Sequence, residues 1–151
     1  DIVTPQKRSA MMSGIRGKDT KLEMILRRGL HRDGYRFRLH VRDLPGRPDI
    51  VLPKYDAVIQ AHGCFWHGHD CELSKIPESN HDWWEAKINR TRDRDAENRE
   101  LTIAQGLRIL EVWECSVRGP GRIGIESTLE IASKWIQSDR VSGIIQGSRE
   151  L

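Results

Sequence analysis

The run His62-Gly63-Cys64-Phe65-Trp66-His67-Gly68-His69-Asp70-Cys71 limits what this chain can fold into more than any other part of it. It opens a stretch, 64–80, with neither the 3.6-residue period of a helix nor the alternation of a strand. A loop of that length needs a source of order other than backbone hydrogen bonding, and a bound metal ion can supply it.

Zinc takes four nitrogen or sulfur ligands in a tetrahedron, and a structural site fills every position with protein. Cys64, His69 and Cys71 offer three, and Cys115, far along the chain at the end of an apolar strand, offers a fourth that would tie the loop to a sheet. The spacing Cys-x4-His-x-Cys is not that of the Cys-x2-Cys knuckle, so two other readings stay open: buried free thiols, or a Cys64–Cys71 disulfide. An odd number of cysteines and the lack of a signal-peptide pattern at the start lead to an expected cytoplasmic location, where clustered Cys and His more often bind metal.

With 151 residues the chain fits one ordinary domain, and a hydrophobic share of 37% with mean hydropathy -0.61 contains no apolar run of the roughly 20 residues that a membrane span needs. A net charge of +3, from 25 basic and 22 acidic residues, does not by itself indicate nucleic acid. Its distribution says more. Lys7, Arg8, Arg16 and Lys18 open the chain without a core pattern, as a basic arm along phosphates or a solvated terminus would.

Asp19-Thr20 can cap a helix reaching about Arg32, stopped by Asp33-Gly34. Residues 35–41 alternate as a strand, and 43–48 form a Pro/Gly-rich link. Residues 49–52 and 57–62 read as a hairpin around Pro53-Lys54-Tyr55-Asp56. A charged helix over about 82–105, an apolar strand over 107–113 and a last helix over 125–136 follow. This order describes an α/β domain with a mixed central sheet flanked by helices. The expected organisation is an arm at 1–19, a domain at 20–138 and a loose tail at 139–151.

Asp49 begins the first hairpin strand, and Gln60 and His62, two apart on the second, share a face, so the three are expected to converge. A carboxylate there can hold Mg²⁺, which keeps waters for a phosphate and a nucleophile, while an imidazole, His62 or His67, takes a proton. An aspartate at a turn exit is more often structural. Phe65-Trp66, on the metal loop, can wedge into a base step, an unstacking that is easier at a mismatch. Trp83, Trp113 and Trp135 read as core pieces or lids. On the charged helix Trp84, Ile88, Thr91 and Asp95 share a face, which turns Asp95 inward, either to orient an imidazole such as His67 or to pair with an arginine at 90, 92 or 94.

The blocks Leu44-Pro45-Gly46-Arg47-Pro48-Asp49, His62-Gly63-Cys64-Phe65-Trp66-His67, His69, Cys71 and Val112-Trp113-Glu114-Cys115 resemble those of the very short patch repair (Vsr) endonucleases, from about Ser9 to Trp135. That resemblance implies a restriction-endonuclease-like core with a structural zinc site, and nicking of double-stranded DNA at a T:G mismatch left by 5-methylcytosine deamination. By it Asp49 holds Mg²⁺, with the main chain of Ala61 beside it. His67 is the base, supported by Asp95, and His62 and Glu23 complete the site. Cys64, His69, Cys71 and Cys115 hold Zn²⁺. Phe65, Trp66 and Trp84 enter the DNA; the charge of the arm, apart from the resemblance, leads to the expectation of Arg16 and Lys18 on the DNA backbone. Family members carry Thr where Ala61 stands, and related nucleases often have an acid where Gln60 stands. A monomer is expected, with other repair proteins as partners. Two alternatives are a restriction- or homing-type nuclease with another target, and an inactive zinc-braced DNA-binding module.

Overall fold

The structure, a computed structural model, describes residues 20–148, so the basic arm with Arg16 and Lys18 lies outside the described residues. The first helix, α1 (Lys21–Arg32), starts on a reciprocal cap: Thr20 Oγ1 accepts from the Glu23 N–H at 3.2 Å, and Glu23 Oε2 accepts from the Thr20 N–H at 2.6 Å. Strands β1 (Ile50–Leu52) and β2 (Ala57–His62) form the expected antiparallel hairpin around a short 3-10 turn, with Ile50 opposite Ile59. Helix α2 (His81–Ala104), strand β3 (Arg108–Trp113), helix α3 (Ile125–Gln137) and strand β4 (Ser142–Ile145) follow. The sheet order is β1-β2-β3-β4, with β2/β3 and β3/β4 parallel, which places β2 in the interior of a mixed sheet.

One face of the sheet carries the main core. Leu22, Leu26 and Leu30 of α1 and Leu129, Ala132, Trp135 and Ile136 of α3 pack on Ile50, Leu52, Ile59, Leu110 and Val112. Each such aliphatic side chain, fully buried, stabilises the fold by about 2 kcal/mol. Gly29 allows the two helices to touch, because a Cβ there would lie 2.3 Å from Leu129 Cδ1. The other face carries Val51, Val58 and Ile109, and farther along it Gln60, His62 and Glu111 lie where α2 crosses. Ile88 and Thr102 are the buried residues of α2, with Trp84, Thr91 and Asp95 half-buried on the same side, the face expected from their spacing.

Three expectations are corrected. Residues 35–41 form no strand; a single antiparallel bridge joins Arg38 to Val51, although Tyr35, Phe37 and Leu39 do alternate inward. His40, at φ 58°, turns the chain away before a ladder can grow. The supposed loose tail contains β4, whose residues 142–145 pair with 109–112 of β3. Trp83 is no core residue: it is 56% exposed, while Trp135 is buried and Trp113 half-buried as expected.

Candidate active site and metal centre

Strand β2 ends at His62 and delivers the chain into the metal loop. His67, Gly68 and His69 fold back through main-chain bonds to Gly63, Phe65 and Cys64. Gly68, at φ 65°, lies flush on α2, where a Cβ would come 2.5 Å from Ile88. Ligand atoms of Cys64, His69, Cys71 and Cys115 then fall within 4.8 Å of one another, a donor set that could hold a metal ion. All three cysteines are free thiols, so a Cys64–Cys71 disulfide is excluded as the structure stands. Burial pushes the Cys64 and Cys115 thiols up, an unfavourable clustering of soft donors that a divalent cation would relieve. His69 Nε2 lies 2.7 Å from Gln146 Oε1, an acceptor, so Nε2 carries the hydrogen and Nδ1 is left to face Cys115 Sγ at 3.6 Å. The Gly147 N–H donates to Cys115 Sγ at 3.2 Å.

Asp49 lies just before β1, and its Oδ2 accepts the main-chain N–H of Ala61 at 2.6 Å. Burial above all, and then a hydrogen bond shared with Glu23, raise the Asp49 carboxyl to about 8. Glu23 is buried where α1 begins, so its capping role also fixes it beside Asp49. Two carboxyl groups this close keep a proton between them unless a cation replaces it, which is the chemistry of a divalent-metal seat. Gln60 does not join them; its Nε2 donates to the Gly46 carbonyl at 3.2 Å and pins the link that leads into Asp49.

On the other side of the same strand end, the His62 and His67 rings lie 4.1 Å apart. His67 Nδ1 is 2.6 Å from Asp95 Oδ2, so Asp95 orients His67 rather than pairing with an arginine of its own helix. With Nδ1 donating to that carboxylate, Nε2 is left to accept a proton. His62 is buried, which holds its pKa below the usual histidine range, and its Nε2 meets Glu111 Oε2 at 3.0 Å. Glu111 also receives Arg99 at 2.7 and 3.1 Å. Phe65, Trp66 and Trp84 form one aromatic cluster with ring centroids 4.9 to 5.7 Å apart, and Trp83 extends it outward at 4.8 Å from Trp84.

Sequence reasoning overlooked Glu111, Arg99, Gln146 and Gly147. Glu111 carried a usable signal, a charge inside the apolar run Ile109-Leu110-Glu111-Val112, paired in register with Gln60. Gln146 carried none, since its role depends on β4.

A mixed sheet flanked by helices, with a Cys/His group that could hold a metal, is an α/β architecture that fits the expected restriction-endonuclease-like class. The family model described as DNA mismatch endonuclease Vsr matches residues 1–73. The DNA mismatch endonuclease Vsr of Escherichia coli is 37% identical over 145 residues, covering 96% of this chain and 93% of that protein. The type II nicking enzyme V.XorIIP of Xanthomonas oryzae pv. oryzae is 43% identical over 123 residues, 82% of this chain and 90% of that protein. A third relative, the type II nicking enzyme V.NmeAIP of Neisseria meningitidis, is 42% identical over 118 residues, 78% and 84% of the two chains. The chain belongs to the Vsr family of DNA mismatch endonucleases, and it is an endonuclease acting on DNA. Among the described residues no helix is long and apolar enough to cross a membrane.

Proposed function

We propose that this protein nicks one strand of duplex DNA beside a T:G mismatch, with Mg²⁺ at Asp49 and Zn²⁺ in the Cys64, His69, Cys71, Cys115 cluster. The observation that carries the reading is that two groups flank the end of β2: the Asp49–Glu23 pair against the Ala61 amide, and, one residue on, His62 beside the His67–Asp95 pair. Asp49, with Glu23 near it and the Ala61 carbonyl as a further oxygen donor, would hold Mg²⁺, which when bound stabilises negative charge on the phosphate oxygens.

His67 takes the proton of the attacking water on Nε2, and Asp95 stabilises the imidazolium that forms. The water oxygen bonds to phosphorus as one P–O ester bond breaks. His62, held neutral by burial, offers its ring to the same space without adding a second charge. Phe65, Trp66 and Trp84 present an aromatic wedge whose insertion into the stack is easiest at a mispair. Cys64, His69, Cys71 and Cys115, which would hold Zn²⁺, keep that wedge and His67 on one loop. The arm with Arg16 and Lys18 adds backbone contacts, and the protein acts as a monomer, handing its nick to other repair proteins.

Relatives bearing the name nicking enzyme favour single-strand cutting over the double-strand cutting of a restriction- or homing-type nuclease. The test is a pair of duplexes, matched and T:G-mismatched, each labelled separately on both strands. Cutting of one strand of the mismatched duplex is expected; equal cutting of both duplexes would overturn the mismatch assignment.

A further inference from the structure

Beside the acid pair lies a pocket whose wall combines Glu23 and Asp49 with three arginines, Arg27, Arg42 and Arg47, and with His40. Arg27 stands one helical turn after Glu23 on α1, and Arg42 and Arg47 come from the link that leads into Asp49. Neither Arg42 nor Arg47 has a side-chain hydrogen bond or ion pair among the described residues, and both are exposed. Their charges are available to an anion from outside.

The backbone of this wall is held in an unusual state. Four non-glycine residues among the described ones have positive φ, and two of them, His40 at 58° and Arg47 at 45°, line this pocket. Such conformations are disfavoured for residues with a Cβ and persist only where the surroundings enforce them, which is common at ligand seats. The enforcement is visible: Gln60 Nε2 holds the Gly46 carbonyl at 3.2 Å, and the Arg47 N–H donates to the Leu44 carbonyl at 3.1 Å. A relaxed extended backbone at 47 would carry its guanidinium elsewhere.

We propose that Arg42 and Arg47 form a seat for a backbone phosphate of the strand being cut, at or next to the bond broken at Asp49. Guanidinium forks suit the non-bridging oxygens of a phosphodiester, and carboxylates on the opposite wall would repel a phosphate unless a cation lay between them. Arginines on one side and an acid pair on the other therefore fit a phosphate approached from two sides. The seat deepens the proposed nuclease reading and rests on it for the identity of the phosphate.

The test is binding of a fluorescein-labelled duplex by the zinc-loaded protein with calcium in place of magnesium, so that a divalent cation still faces the acid pair, measured by anisotropy over a range of salt. Each lost phosphate contact reduces the slope of log K against log salt by about 0.9. In Arg42→Gln combined with Arg47→Asn, which keeps the left-handed backbone accessible, the slope is expected to fall by about 2, equally for matched and mismatched duplexes. Arg42→Lys should restore about one unit of slope. Lys134→Gln, which removes one positive charge on α3 where it pairs with Glu130, should leave the slope unchanged. A double variant that retains its zinc and melting temperature but shows the wild-type slope, or no more change than Lys134→Gln, would overturn the seat. A protein that binds with the expected slopes yet cuts both duplexes equally would leave the seat standing and remove the mismatch assignment.

Discussion

The indole of Trp113 lies nearly parallel to the imidazole of His69, with centroids 4.1 Å apart and planes 23° from coplanar, and it also meets His62 at 4.8 Å and His67 at 6.3 Å. One half-buried ring at the end of β3 therefore supports a proposed metal ligand and the proposed active-site histidines together. Trp113→Ala should lower both zinc retention and cleavage, and destabilise the fold by about 2 kcal/mol, roughly half the loss for a fully buried aromatic. Trp113→Phe should preserve most of both. Zinc content after dialysis, read beside nicking rate, checks this; loss of one property without the other would separate the two centres.

Asp95 touches His67 at 2.6 Å and works through it. Asp95→Asn keeps the shape but removes the charge that supports the imidazolium, so the single-turnover rate should fall by about 10²–10⁴-fold. Duplex affinity measured without magnesium should stay within about twofold, because that contact matters mainly while charge develops on His67. A variant that loses affinity and keeps its rate would assign Asp95 to DNA binding instead.

Gln146 accepts from His69 Nε2 and so fixes which ring nitrogen faces the cysteines. Partners of this kind change metal affinity by about 10–100-fold when removed. Gln146→Ala should lower zinc affinity by that factor in a chelator competition, and Gln146→Glu should retain it. Unchanged affinity in the alanine variant would show that β4 docks without bracing the cluster.

Burial disfavours the charged form of Glu111, yet His62 and Arg99 outweigh it and hold the carboxyl at about 2. This pKa lies below the ordinary value of 4.5, so the stability gained is fully present above about pH 4.5 and is lost as pH falls toward 2. Glu111→Gln should cost about 2 kcal/mol at pH 7, and the difference from wild type should shrink by about half on acidification to about pH 3, closing only as pH approaches 2. Urea unfolding at both pH values measures it, and zinc loss at acid pH cancels because both proteins share it. A difference as large at pH 3 as at pH 7 would attribute the loss to packing.

What could be read from the sequence was whatever chemistry or local geometry dictates. The turn Pro53-Lys54-Tyr55-Asp56 fixed the hairpin and so brought Asp49 beside Ala61, and Cys64, His69, Cys71 and Cys115 stood out by residue type. What escaped depends on tertiary context. Strand β4 buries only Ile145 and exists because β3 offers a free edge, so its own composition reads as a tail. The inward alternation of residues 35–39 was correct, but the left-handed turn at His40 that ends it leaves no mark in composition. Trp83 was legible and misread: one residue before Trp84 it lies about 100° around the helix and cannot share the inward face.

The most direct measurement of the central claim is single-turnover cleavage of a T:G-mismatched duplex by the wild type, Asp49→Ala and His67→Ala, in magnesium and in EDTA. A nick in one strand by the wild type in magnesium alone is expected, with each variant slowed by at least about a hundredfold while still retaining zinc. Cutting that persists in EDTA, or an Asp49→Ala protein as active as the wild type, would contradict it.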